Sequence, residues 1–398
     1  MDMQIIPSEL KGDIILPISK SILHRAIICA SLAKGKSIIG PVTPSVDVEA
    51  TKSVMQALGC KIDIVDDSMT VFGIDKLNKN VTANCRESGS TLRFLIPVFA
   101  ALTENTTFIG EGRLPKRPLD VYDSIINMKY IGGLNLPLVV EGGFKTNTFT
   151  MPGDISSQFV SGLLFALPFI EGGKIVIDGD LQSKPYIDIT VDVMNKFGIN
   201  VINNEYKEFK TEGEYKPCSF KSQQDFSAAA FWLVANKLGN NVNCVGLDYD
   251  TKQGDARIAE IIKKEEKIID VSDIPDLGPI LAVLGALSEG EMRIVNASRL
   301  KIKESDRIEA ITTGLSKMGA DIEAGDDEIR VWGKPKLKGG VTLSSYNDHR
   351  IAMSLAIAAT KCENPVEIEG AQCVAKSYPE FWEDFRKLGG IANELNLG

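Results

Sequence analysis

The chain is 398 residues long, 44% hydrophobic and 24% charged, with a formal net charge of −9. That length and apolar content exclude fibrous, disordered and collagen-like classes and predict about two domains, while the acidic balance argues against a general affinity for nucleic acid or anionic membrane surfaces. The seven cysteines form no CxxC pair, the N-terminus MDMQIIPSEL lacks a basic region followed by an apolar one, and no apolar run approaches the roughly 18 residues that span a bilayer, so a soluble, reduced, cytoplasmic protein is expected. With only His24 and His349 and no HExxH motif, no metal site is expected.

In chain order, a polar cluster opens a small-residue apolar helix six times. The clusters are residues 19–25 (SKSILHR), 87–93 (ESGSTLR), 154–159 (DISSQF), 224–227 (QDFS), 273–277 (DIPDL) and 347–350 (NDHR). Each helix leads to a strand, and the strands are expected to end at Gly40, Gly110, Gly179, Gly246, Asn296 and Gly370, mostly about 70 residues apart, so the chain reads as six copies of one unit. A second series of amphipathic helices ends at Gly59, Gly198 and Gly319, where a C-cap belongs. The segments MKYIGG, IIKKEEKIID and FRKLGG are weaker counterparts.

Alternating helices and strands give an α/β class in which apolar helices are enclosed by sheet. Three units per domain place the seam between about residues 210 and 224. The expected division is residues 13–224 against residues 1–12 with 225–398. That the first 12 residues cross over does not follow from pattern alone.

Each polar cluster has a structural and a functional reading. Lys20, Ser21 and Arg25 stand at a buried helix start, where cations oppose the helix dipole, so an anion should compensate them; a surface-charge role is the alternative. Ser156, Ser157 and Gln158 can cap a helix or clamp a phosphate. In SKPYIDIT, Ser183 and Tyr186 stand on what alone reads as a turn and strand. GRLPKRPLD carries Arg113, Lys116 and Arg117 on a proline-stiffened loop. Within KIKESDRIEAITTGLSKMG, Ile308, Ile311, Leu315 and Met318 form a core stripe and Lys303 and Arg307 stand four apart. Glu304 reads either as a capping-box or ion-pair acid or as a proton-transfer group. Asp276, Asp348 with His349 and Arg350 beside an Asn347 cap, and Lys376 complete the series.

In order along nearly the whole chain, SKSILHRA, ESGSTLRFL, RLPKRP, SSQF, SKPYIDIT, IPDL, KESDR, NDHR and AKSYPEF resemble 5-enolpyruvylshikimate-3-phosphate synthase, the enolpyruvyl transferase family of the shikimate pathway and a glyphosate target. The resemblance implies two domains of three βαβαββ units, an inverse α/β barrel-like arrangement with the active site in the interdomain cleft. It implies that Lys20, Ser21, Arg25, Ser156, Ser157, Gln158, Ser183, Tyr186, Asp276 and Lys303 bind shikimate 3-phosphate. Phosphoenolpyruvate would be held by Lys20, Gly89, Ser90, Arg117, Gln158, Arg307, Arg350 and Lys376. Asp276 would take the proton of the 5-hydroxyl, and Glu304 with Lys20 would protonate the enol carbon. No cofactor or metal is implied, and the expected state is a monomer that binds small molecules only.

Two positions depart from the family pattern. Glu87 stands where Asn is common, so a carboxylate enters the phosphoenolpyruvate subsite and should weaken anion binding unless Arg93 or another cation pairs with it. Arg299 stands where Asn or an acid is frequent. The nearest rival, UDP-N-acetylglucosamine enolpyruvyl transferase, usually has a reactive Cys just ahead of the position of Arg117, and GEGRLPKRP has none. An RNA-end-processing enzyme of related repeat architecture is opposed by the acidic balance, and a non-catalytic relic by intact Asp276, Glu304 and Lys20.

Overall fold

The computed structural model describes residues 1–395. The chain forms two compact units, Ile18–Gln223 (the first unit) and Met1–Pro17 with Gln224–Gly398 (the second). Residues 13–17, grouped by sequence with the first unit, lie in the second. The cause is backbone pairing: the strand Lys11–Ile14 runs parallel to Asn241–Cys244, and this ladder carries the chain past residue 12.

Among the described residues eleven α-helices follow in order: α1 Lys20–Leu32, α2 Val46–Leu58, α3 Gly89–Leu102, α4 Ser157–Ala166, α5 Lys184–Lys196, α6 Phe226–Lys237, α7 Ile258–Lys264, α8 Gly278–Ala286, α9 Arg307–Lys317, α10 His349–Ala359 and α11 Phe381–Lys387. Six of them, α1, α3, α4, α6, α8 and α10, follow the six polar clusters. Every residue of α8 and α10 is buried, as expected of helices apolar all round. In the second unit α6, α8 and α10 pack on one another; in the first, α3 lies along α4 while α1 packs on α2 and α5.

One sheet shows the repeat. Asn80–Asn84 pairs parallel with Asn105–Ile109, which pairs antiparallel with Leu138–Phe144, which pairs antiparallel with Ile126–Tyr130. The same order recurs in four further sheets, beginning at Ser219–Lys221, Thr148–Pro152, Ile268–Asp270 and Val341–Ser344. The last of these takes in Asp2–Ile6 as its third strand, antiparallel to both neighbours. Among the described residues the sixth sheet has only Asn241–Cys244 and Lys11–Ile14. There Val242, whose backbone would face a third strand, donates its N–H to Asn236 Oδ1 and accepts from Asn236 Nδ2, both at 2.7 Å. One side-chain amide thus closes the edge that a hairpin closes elsewhere.

Four local expectations change. SKPYIDIT is the first part of α5, not a strand: Pro185 fits a first helical turn, and Ile187, Thr190, Val193 and Met194 recur at helical spacing to fill the core. MKYIGG is no helix, because Ile126–Tyr130 is a strand preceded by a short 3-10 turn, Asp120–Tyr122. Glu304 is no cap, since α9 begins at Arg307 and Asp306 Oδ1 accepts the Glu309 N–H. The last buried helix is capped by Asp348, which accepts the Arg350 N–H at 3.0 Å, while Asn347 sits in the left-handed region at φ 53.

The close approach of α3 and α4 depends on Gly162. A Cβ there would lie 2.3 Å from the Arg93 carbonyl oxygen and 2.7 Å from Tyr122 Oη. Gly162→Ala should therefore destabilise the protein by about 2 kcal/mol through forced backbone movement, read as a lowered midpoint in urea unfolding.

Candidate active site

None of the six buried helices carries an acid in its first turn. The outer helices α2, α7, α9 and α11 do, as the dipole favours. The starts of α1, α3 and α4 are thus left without the usual negative charge, while α6 and α10 have it only from their caps, Asp225 and Asp348.

In the first unit, buried polar chains fix three of these starts. His24 of α1 meets Thr51 of α2 at 2.6 Å, Thr51 meets Thr91 of α3 at 2.7 Å, and Thr91 donates to Ser88 Oγ, the N-cap of α3, at 2.7 Å. Arg93 of α3 donates to Gln158 Oε1 of α4, and Gln158 donates in turn to Ser90 Oγ of α3, both at 2.9 Å. Gln158 is therefore held in a single orientation at the start of α4, where Ser156 Oγ caps its N–H. Lys20, the first residue of α1, reaches Asp47 of α2 at 2.9 Å.

Arg25 and Arg117 are both buried, and among the described residues neither has a carboxylate partner. Arg25 donates to Thr190 Oγ1 and to the carbonyls of Ser21 and Tyr186, and its guanidinium lies over Phe94. Three of its five N–H groups are thus used, and burial pushes it below its ordinary pKa. The Arg117 guanidinium rests on the start of α3: a Cβ on Gly89 would be 2.3 Å from its Nη1. Its Nε has no hydrogen-bond partner among the described residues. A buried cation without a counter-charge is costly, so these two invite an anion. Ser157 and Ser183 are buried nearby in sequence terms at the starts of α4 and α5, with Ser183 in the left-handed region at φ 57.

In the second unit the cations are already matched. Arg307, 1% exposed, donates from Nε to Asp348, from Nη1 to Asp276 and from Nη2 to Glu304, all at 2.8 Å. Burial alone would lower its pKa, but Asp348, Glu304 and Asp276 outweigh burial and hold it above its ordinary value. Asp276 also accepts from Arg350 at 2.8 Å and lies 3.5 Å from Lys303. Lys376 donates to the Asn347 carbonyl at 2.7 Å. The structure thus brings Asp276, Lys303, Glu304, Arg307 and Arg350 into one ensemble of acids and cations, suited to moving a proton beside an anion.

Sequence reasoning missed the residues that hold these groups. Asp47, Thr51 and Thr190 act across helices far apart in sequence. Asp255, buried and raised to about 7 by burial and then by Asp276, takes a hydrogen bond from Ser227; only the acid at a buried position could have marked it. The departures also find places. The Glu87 carboxylate packs on Gly112, whose Cβ would meet Oε2 at 2.5 Å, and Arg93 extends to Gln158 and the Pro118 carbonyl. Arg299 donates to the Ser272 carbonyl at 3.4 Å. All seven cysteines are free, and burial raises Cys85, upstream of the Arg117 loop, far above a reactive thiol. Among the described residues no helix is long and apolar enough to cross a membrane.

The family model for EPSP synthase (3-phosphoshikimate 1-carboxyvinyltransferase) matches residues 5–267 and 261–385. A 3-phosphoshikimate 1-carboxyvinyltransferase of Clostridium novyi (strain NT) is 47% identical over 433 aligned residues, covering 100% of this chain and 99% of that protein. One from Clostridium kluyveri is 46% identical, with 100% and 99% covered. Among solved structures, an EPSP synthase from Acinetobacter baumannii superposes with a TM-score of 0.80 at 24% identity, covering 99% of this chain and 100% of that one. The enolpyruvyl transferase NikO from Streptomyces tendae gives 0.75 at 16% identity, with 98% of each chain covered. These two likenesses are of fold.

The uncompensated guanidinia generate a test that needs no turnover. Inorganic phosphate should raise the melting temperature above that in chloride of equal ionic strength, and Arg117→Met should reduce the gain. At about 100 times its dissociation constant, a ligand adds about 2.7 kcal/mol, enough to read by scanning calorimetry.

Proposed function

The chain belongs to the EPSP synthase family, and from that premise we propose that it transfers the enolpyruvyl group of phosphoenolpyruvate to the 5-hydroxyl of shikimate 3-phosphate, releasing phosphate. The observation that carries the reading is that the first unit holds two buried guanidinia, Arg25 and Arg117, with no carboxylate partner among the described residues, and that the second unit holds a proton-handling ensemble around Arg307. Both substrates are phosphorylated carboxylates. They repel one another, so a transferase must offer them fixed positive charge and helix starts free of acid.

In this reading Ser156, Ser157, Ser183 and Arg25, with Lys20 and Ser21, hold the sugar phosphate, and Gln158 and Tyr186 lie against the ring. Lys20, Arg117, Arg307, Arg350 and Lys376 hold phosphoenolpyruvate beside Gly89, Ser90 and Gln158. The hydroxyl oxygen attacks C2 of the enol as Asp276 takes its proton and Glu304 with Lys20 protonates C3. The tetrahedral ketal then loses phosphate and the C3 proton, which restores the enol ether. Arg307 binds Asp276 through Nη1 and Glu304 through Nη2, so base and acid are spaced by one guanidinium and stay distinct.

The rival that uses UDP-N-acetylglucosamine is disfavoured by the thiols, since the loop ahead of Arg117 has none and Cys85 is suppressed by burial. Phosphate release measured with each acceptor separates the two. Release with shikimate 3-phosphate supports the reading, and release with the nucleotide sugar alone overturns it. A monomeric cytoplasmic enzyme without cofactor is the accompanying expectation, checked by light scattering and by activity of chelator-treated protein.

Asp276→Asn and Glu304→Gln should each lower turnover by about 10²-fold or more while circular dichroism stays native; near-normal phosphate release from either removes that residue's role. Gly89→Ala should displace the Arg117 guanidinium, raise the KM for phosphoenolpyruvate by about tenfold or more for one lost charge-assisted contact, and weaken competition by glyphosate. Steady-state kinetics with each substrate varied will read both.

A further inference from the structure

Within that transfer reading, the fate of the proton taken by Asp276 is undecided. Both carboxylate oxygens of Asp276 already accept from guanidinia, Arg307 on Oδ1 and Arg350 on Oδ2, each at 2.8 Å. A proton placed on this group would stand against two fixed cations, so Asp276 can pass a proton on but is poorly suited to keep it. Neither guanidinium can accept it, because arginine stays protonated. The group that can is Lys303, whose Nζ is 3.5 Å from Oδ1.

We propose that Lys303 is the proton store behind Asp276, and that Arg299 keeps it available. Lys303 ends the 3-10 segment Ser298–Ile302 as its C-cap. Charged groups face it from each side: Asp276 from the 3-10 turn Pro275–Leu277, Arg307 from α9, Arg299 from its own segment and Glu304 next in the chain. Burial is the largest influence and lowers its pKa; Arg307 and Arg299 lower it further, Asp276 and Glu304 oppose them, and the result is about 8. Arg307 is spent on three carboxylates, so Arg299, which donates to the Ser272 carbonyl at 3.4 Å, is the one of the two whose substitution tests the influence on Lys303. Its position, a departure from the family pattern, thereby acquires a function.

The acceptor O–H bond breaks as the O–C2 bond forms, and the proton passes through the Asp276 carboxylate to the neutral Lys303 amine, giving an ammonium. Glu304 supplies a proton to C3. On elimination the C3 proton returns to Glu304, the C2–O bond to phosphate breaks, and the departing phosphate takes the ammonium proton. The hydroxyl proton thus ends on phosphate and the enzyme is unchanged.

Two measurements on the full chain test this. In protein labelled with ¹⁵N-lysine, the resonance lost in Lys303→Arg should titrate near 8 and move up by about half a pH unit in Arg299→Gln, as removal of a nearby cation requires. In phosphate-release assays, kcat should rise with pH to a plateau, with that limb shifted up by the same amount in Arg299→Gln. Lys303→Arg keeps the charge that a purely binding role needs, so it should leave the KM values within about threefold and lower kcat by about 10²-fold. Wild-type kcat and pH profile in Lys303→Arg, or a Lys303 resonance titrating at the ordinary lysine value and unmoved in Arg299→Gln, overturns this proposal alone. A wild-type chain that releases no phosphate from the two substrates overturns the transfer reading and this one with it.

Discussion

Arg307 is a buried cation that three carboxylates share, and the second unit's chemistry depends on it. Asp276, Glu304 and Asp348 come from three separate segments, and each is fixed by a 2.8 Å bond to one planar group. Without that guanidinium the acids would repel one another and be driven to protonate. With it they are held oriented and distinct in neighbourhood. Asp348 is wholly buried and also caps α10 and accepts from Ser305. Asp276 keeps contact with Arg350 and Lys303. A structural ion-pair cluster and a proton-handling site are here the same object.

The first unit uses the opposite arrangement. Arg25 and Arg117 are buried without acids, and hydroxyls and amides do the positioning. Such a site resists collapse because its polar groups are tied to backbone and to each other, not to counter-ions. It presents positive charge that only an incoming anion can balance. The difference between the units follows from composition at the helix starts: Ser and Thr surround those of α1, α3 and α4, whereas Asp225 and Asp348 cap α6 and α10.

The repeat explains why the clusters recur. In four of the sheets the first two strands run parallel and an apolar helix connects them, whereas α1 leads from Lys11–Ile14 to Lys36–Gly40 and α6 from Ser219–Lys221 to Asn241–Cys244, strands of different sheets. In those four the buried helix therefore begins at the same end of its sheet. The pattern is broken in two places among the described residues: a helix is replaced by a short turn at Asp120–Tyr122, and one sheet has two strands with Asn236 closing its edge. Neither loss touches a helix start that carries the proposed chemistry.

The six apolar helices, their polar starts and their strand ends could be read from sequence because burial and dipole act over a few residues, where neighbours in sequence are neighbours in space. Lys20 and Arg25 were legible for the same reason, as cations at a buried helix start, whereas Asp276, Glu304 and the serines each also had an ordinary reading there as a first-turn acid, an ion-pair acid or a cap. The course of residues 184–190 was not, because β-branched residues suit either a strand or a well-packed helix and the core decided. Nor were the partners: that Arg307 is neutralised while Arg25 is not, that Glu87 turns onto Gly112, and that Lys303 stands 3.5 Å from Asp276. Charge type is written in the chain, but the balance of a buried charge depends on which distant segments reach it, and only tertiary packing brings those together.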